Sequence, residues 1–216
     1  MGPRGYGEVV QSTPMMSTRP DEENANFRRW IKIQSEVLMP MGRRGERDAL
    51  IGKAEGILAD ETDPAFRDLV IMGVSAILHV NGWERGSLAW CERRVGEAPD
   101  DPKSHNDLAM WYYANPLRKP TADELDQALQ HSAKAVEKAR EMGCWQRSVL
   151  HDRCRIATAA GKYDIVAEAM EEILEVWANP CEPDIPMFES DWLATIPIDA
   201  IENDLLERYR AAAGEA

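Results

Sequence analysis

Apolar residues return at helical spacing along most of this chain, and Pro, Gly and Asn cut the pattern into short lengths. Phe27, Trp30, Ile31, Ile33, Val37 and Leu38 mark one face of a helix beginning near Glu22, with Pro40 and Gly42 as its stop. Leu50, Ile51, Ala54, Ile57 and Leu58 mark a second helix over about 46–58. Asp60-Glu61-Thr62-Asp63-Pro64 combines a break with a helix start, because Asp or Thr before Pro can accept from unpaired backbone N–H groups. From Pro64 to Val80 the apolar positions cover most of the circumference, the pattern of a helix with neighbours on both sides. Asn81-Gly82 ends it, and Trp83–Glu97 supplies its partner before Pro99-Asp100-Asp101-Pro102 closes the pair.

Two later stretches, Ser104–Ala139 and Arg147–Val176, read as degenerate copies of one unit. In the first, a helix over His105–Tyr113 is followed by the break Asn115–Pro120. A second helix then runs to about Met142, with a capping box at Thr121 and Glu124 and Gly143 at its end. In the second, helices over 145–160 and 163–178 meet at Gly161-Lys162-Tyr163-Asp164. A hairpin of this kind cannot bury its apolar face alone, so copies stack. After Asn179, Pro180, Pro183, Pro186 and Pro197 predict an extended or looped segment. A last amphipathic helix over Ile198–Ala213 presents Ile201, Leu205, Leu206 and Tyr209. The expected organisation is a flexible leader over 1–21, about four hairpins over 22–178, and a terminal segment over 179–216 that covers the open end; the alternative, which Trp192 supports, is that this segment folds into the groove or docks on a partner.

Leu108-Ala109 with Tyr112 gives a large-small-aromatic spacing, Ala128 and Ala135 a small-small one, and Gly161–Asp164 a short turn. Together they resemble the pattern of the tetratricopeptide repeat (TPR) family. Small residues at a crossing let two helix backbones approach. Val74-Ser75, Leu78, Asn81-Gly82, Ser87 and Pro99 fit an earlier unit, in which Arg94 replaces a small residue. In the last unit Arg153 and Cys154 stand where a large apolar and a small residue are usual. The resemblance spans about half the chain, and Glu22–Leu58 joins it by periodicity alone. It implies an all-α fold of antiparallel hairpins stacked as a short right-handed TPR-like solenoid with a C-terminal capping segment.

The resemblance also implies that the first helix of each pair lines a concave face that holds a protein or peptide segment. By register this nominates Met72, Ala76 and His79; Lys103, Asn106, Met110 and Tyr113; and His151, Arg155 and Thr158. Lys103, Asn106 and Arg155 form a basic and amide set suited to a carboxylate. Ordinary packing is the alternative role for each of them.

A formal charge of -13 argues against general nucleic-acid binding, which needs surplus Lys and Arg at phosphates. The basic groups Arg28-Arg29, Arg43-Arg44-Arg47 and Arg93-Arg94 read as solvated helix faces. No apolar run is long enough for a membrane span, and Met1–Pro20 lacks the apolar centre of a secretory signal, so a cytoplasmic location is expected. Cys91, Cys144, Cys154 and Cys181 form no CxxC pair and read as reduced thiols.

For chemistry, Cys144, His151 and Cys154 are the strongest set, His151 and Cys154 being three apart on a helix; no fourth ligand stands at a characteristic spacing. Adjacent acids such as Glu171-Glu172 diverge on a helix, and Gly42, Gly45, Gly52 and Gly56 make no phosphate loop. The sequence thus points to a non-catalytic scaffold without cofactor or metal, binding a protein or peptide. Two alternatives stay open: a small-molecule or metal site using His79, His151 or Cys154, and a homo-oligomer formed through the terminal helices.

Overall fold

The computed structural model describes residues 20–114, 118–178, 192–197 and 199–213, and no strand occurs among them. Residues 1–19 of the expected leader, Asn115–Leu117, Cys181 and most of the Pro-rich stretch lie outside the described residues. The helices are α1 (Pro20–Ile33), α2 (Met39–Arg43), α3 (Arg47–Asp60), α4 (Pro64–Val80), α5 (Glu84–Glu97), α6 (Pro102–Tyr113), α7 (Ala122–Met142), α8 (Gln146–Ala159), α9 (Tyr163–Ala178) and α10 (Asn203–Ala213). A π-helical turn, Gln34–Leu38, joins α1 to α2, and a short 3-10 turn spans Leu193–Thr195. The fold is all-α and built of helical hairpins, and it divides between Pro99 and Asp100 into two compact units.

In the unit before Asp100, α4 and α5 form the central hairpin. Small residues are used here for hydrogen bonding as well as close approach: the Ser75 hydroxyl donates to the Ser87 carbonyl and the Ser87 hydroxyl to the Ser75 carbonyl, each at 3.0 Å. α1 crosses α4 at Gly73, where the Trp30 ring occupies the space a Cβ would need. Trp30, Leu38, Leu50, Phe66, Val70, Val74, Leu78 and Trp90 share the core. Arg29 lies over the Phe66 ring at 3.9 Å and bonds Glu61 at 2.5 Å, tying α1 to the α3–α4 connection.

Pro40 and Gly42 do not stop the first helix. The chain stays helical to Arg43, and Gly45, with φ of 76°, ends it. The π-turn gives the reason. Met39 donates to the Gln34 carbonyl, five residues back, so the ladder is already widened where Pro40 has no N–H to give. Gly42 is instead a contact residue, since a Cβ there would sit 2.9 Å from Asn81 Nδ2. Arg94 also differs from its expected place on a solvated face. It is buried, and its guanidinium holds Asp68 through two bonds of 2.6 and 2.9 Å.

The unit from Asp100 onward stacks α6 on α7, α7 on α8 and α8 on α9. Ala109, Ala128, Ala135, Ala139 and Ser132 are fully buried at the crossings, as the small-residue spacing predicts. The capping box at Thr121 and Glu124 is formed, and Gly143 takes the left-handed cap with φ of 67°. Arg153 fits its apolar slot by turning its head to α7, where it donates to the Leu129 carbonyl and the Ser132 hydroxyl; burial pushes its pKa down. α10 begins at Asn203 rather than Ile198, because a turn from Pro197 to Ala200 precedes it and Ile201 is drawn into the core. There Trp192, Leu193, Leu205, Leu206 and Tyr209 pack with Leu150, Met170 and Ile173.

Candidate functional site

α6 and α8, the first helices of successive hairpins, lie side by side in the second unit. Asp101 caps α6 by accepting from the Lys103 N–H, and Pro102 stands at its first turn, where a missing N–H costs nothing. One turn on, Asn106 Nδ2 donates to Asp152 Oδ2 of α8 at 2.7 Å. Asp152 Oδ1 lies 3.5 Å from the Arg155 guanidinium, whose carbon is 5.7 Å from the centre of the Tyr113 ring. Amide, carboxylate, guanidinium and phenol thus form one chain across the two helices. At the start of both helices the Lys103 ammonium sits 3.5 Å from the centre of the Trp145 ring, a cation–π contact.

Two oxygens of this face are buried without a hydrogen-bond partner, Asn106 Oδ1 and Thr158 Oγ1. A buried polar atom left so costs about 1–3 kcal/mol. Ala109, Ala128 and Ile156 form an apolar cluster between these helices and α7, with Met110, Tyr112 and Tyr113 packed against it. The arrangement brings together an amide, a carboxylate, a phenol and two cations that each lie over an aromatic ring.

Of the nominated residues, Lys103, Asn106, Met110, Tyr113, Arg155 and Thr158 belong to this pair of helices. His151 faces the terminal segment, its Nε2 accepting from the Trp192 indole N–H at 3.3 Å with the rings edge to face. Met72 and His79 lie on α4 of the other unit, Met72 exposed and His79 half-buried. Asp152, Trp145 and Trp192 are added by the structure. Asp152 and Arg155 are three apart, a helical pairing visible in the sequence; the reach of Asp152 to Asn106 is not.

Cys154 is fully buried, and that burial pushes its thiol pKa well up, away from a ready thiolate. Among the described residues no three His, Cys, Asp or Glu side chains converge on a metal position. A cavity of about 470 Å³ in the first unit is lined by Pro64, Arg67, Asp68, Ile71, Arg94, Glu97 and Ala98. Its cations are committed in place, Arg67 to Glu97 at 2.9 Å and Arg94 to Asp68. No helix among the described residues is long and apolar enough to cross a membrane.

Compared with family models and with curated proteins, the sequence matches none. Among solved structures it is similar to the nearly identical TPR-like repeats of a candidate kinesin light chain from Podosopora anserina, with a TM-score of 0.52 and 15% identity over 86% of this chain and 95% of that one. A substituted form of the same repeats gives a TM-score of 0.50 and 16% identity, covering 86% of this chain and 87% of that one. At such identity the likeness concerns the fold alone, and the fold is a TPR-like helical repeat.

Proposed function

We propose that the α6–α8 face binds an extended segment of a protein partner, and that the chain is a non-catalytic cytoplasmic adaptor. The observation that carries this reading is the line of polar groups Asn106, Asp152, Arg155 and Tyr113 that joins α6 to α8. An extended backbone offers N–H and C=O groups to such a line of amide, carboxylate and phenol. Lys103 and Arg155 suit an acidic residue in that segment. The partner is then recognised by main chain and charge, beside the apolar cluster that Met110 and Tyr113 pack against.

The test is selection of binders from a random peptide library on the intact protein, followed by titration of the best ones. Acid-containing peptides are expected, with affinity reduced about tenfold or more by Asn106→Ala or Arg155→Glu, the loss of one to two charge-assisted bonds. Met72→Asp, on α4, is expected to leave binding unchanged. Should Met72→Asp abolish binding while the α6–α8 variants retain it, the site lies on α4 and this assignment fails.

A further inference from the structure

Two imidazoles meet inside the α6–α7 hairpin. His105 of α6 is 7% exposed and His131 of α7 is half-buried. Their Nδ1 atoms are 3.4 Å apart, while the ring centres are 5.7 Å apart with planes within 25°. The nitrogens are closer than the ring centres by about twice the distance from an imidazole's centre to its atoms. Each Nδ1 therefore points along the line between the rings, and the two meet edge to edge.

Head-on nitrogens cannot both present a lone pair, nor both a proton. One Nδ1 carries the hydrogen and donates; the other accepts and keeps its own proton on Nε2. Adding one proton to the donor's Nε2 turns it into an imidazolium whose Nδ1–H still donates, with charge assistance. A second proton must go to the accepting Nδ1 and sets two N–H groups against each other. We propose that His105 and His131 form a proton-sensitive latch between α6 and α7, closed while at least one ring is neutral and opened when both are protonated.

The surroundings favour opening at modest acidity. Tyr112 of α6 stacks on His131 with ring centres 6.1 Å apart, enclosing it on one side. Asp100 before α6 and Glu137 of α7 both feel the His105 charge, but Lys138 bonds Asp100 at 2.8 Å and Lys134 bonds Glu137 at 2.8 Å. On α8, the helix packed against both, Asp152 bonds Asn106, the residue after His105, and Arg153 bonds Ser132, the residue after His131. Burial first, then the His105 charge, pushes the His131 pKa below its ordinary value. A histidine depressed in the folded state gives its full stability above the unfolded value, about 6.5, and loses it as pH falls below. His105 adjoins Asn106, so opening would also loosen the binding face; the latch itself does not depend on that face having a partner.

Nitrogen NMR on histidine-labelled full-length protein at pH 8 is the direct test. One ring is expected as the Nδ1–H tautomer and the other as Nε2–H; two Nε2–H rings would overturn the proposal. Amide exchange of α6 and α7, corrected for its intrinsic pH dependence, reads the opening. Protection is expected to fall about tenfold between pH 7 and 5, equivalent to one pKa unit of coupling. In His131→Leu that fall is expected to vanish; an equal fall in the variant and the wild type would also overturn the latch.

Discussion

Trp30 seats its ring where a side chain at position 73 would begin: a Cβ on Gly73 would lie 1.9 Å from Trp30 Cζ2. Either α1 lifts from α4 or Trp30 leaves its rotamer, and both disturb a core in which Trp30 is 3% exposed. Gly73→Ala is therefore expected to lower stability by about 1–3 kcal/mol, the usual range for overpacking. Gly52, in α3, has nothing within 4 Å of its would-be Cβ. Gly52→Ala should raise stability by up to about 1 kcal/mol through helix propensity alone. Urea midpoints of the two variants decide it, and movement in the same direction would contradict this account of Gly73. At this scale the sequence is readable where a residue acts through its own backbone or its immediate neighbours. Arg94 and Arg153 stand out as departures from the repeat, yet their partners Asp68 and the Leu129 carbonyl lie 26 and 24 residues away. No local rule names them.

Helix ends are the most legible elements, because capping is local chemistry. Asp63 accepts from the Ala65 N–H, and Thr121 and Glu124 bond reciprocally, as their spacing predicts. The first helix is misread because a π-turn changes which carbonyl each N–H meets, a register no side-chain pattern displays. The α7 cap gives a prediction with a pH sign. The Arg118 guanidinium, then the Thr121 N–H, hold the Glu124 pKa at about 2, below its usual value of 4.5. A carboxylate depressed in the folded state contributes stability that is complete above the unfolded value and is lost as pH falls toward 2. Thr121→Ala is expected to cost about 1 kcal/mol at pH 7. Removing the threonine hydroxyl takes away one of the interactions that depress Glu124. The variant should therefore show a shallower stability loss than the wild type between pH 4.5 and 2. Denaturant unfolding across that interval measures it, and parallel curves would show that the box does not hold Glu124 in its charged form.

For the molecule as a whole, the role of the terminal segment bears on what remains available for binding. Its sequence allowed two readings, a cover over the end of the array or a tail docked in the groove. Trp192, Leu193, Ile201, Leu205, Leu206 and Tyr209 are all nine-tenths buried and share one core with Leu150, Met170 and Ile173. Six such side chains at about 1.5–3 kcal/mol each amount to roughly 10 kcal/mol or more of burial, comparable to the whole net stability of a domain. That scale belongs to a structural cover. Ending the chain at Ala178 is therefore expected to abolish cooperative unfolding of the second unit and to expose dye-binding apolar surface, with Leu206→Ala as a milder form costing about 2–5 kcal/mol. His151→Ala separates the two roles. It removes the acceptor of the Trp192 N–H at the edge of the segment but leaves the rest of that core in place. If the segment covers the end of the array, His151→Ala should reduce stability by only about 1 kcal/mol and leave peptide affinity at α6–α8 unchanged. If Trp192 instead competes for the face, the same substitution should tighten peptide binding while stability hardly moves. Calorimetric titration beside a urea curve on one variant distinguishes them, and the burial of Tyr209 and Leu206 argues for the first outcome.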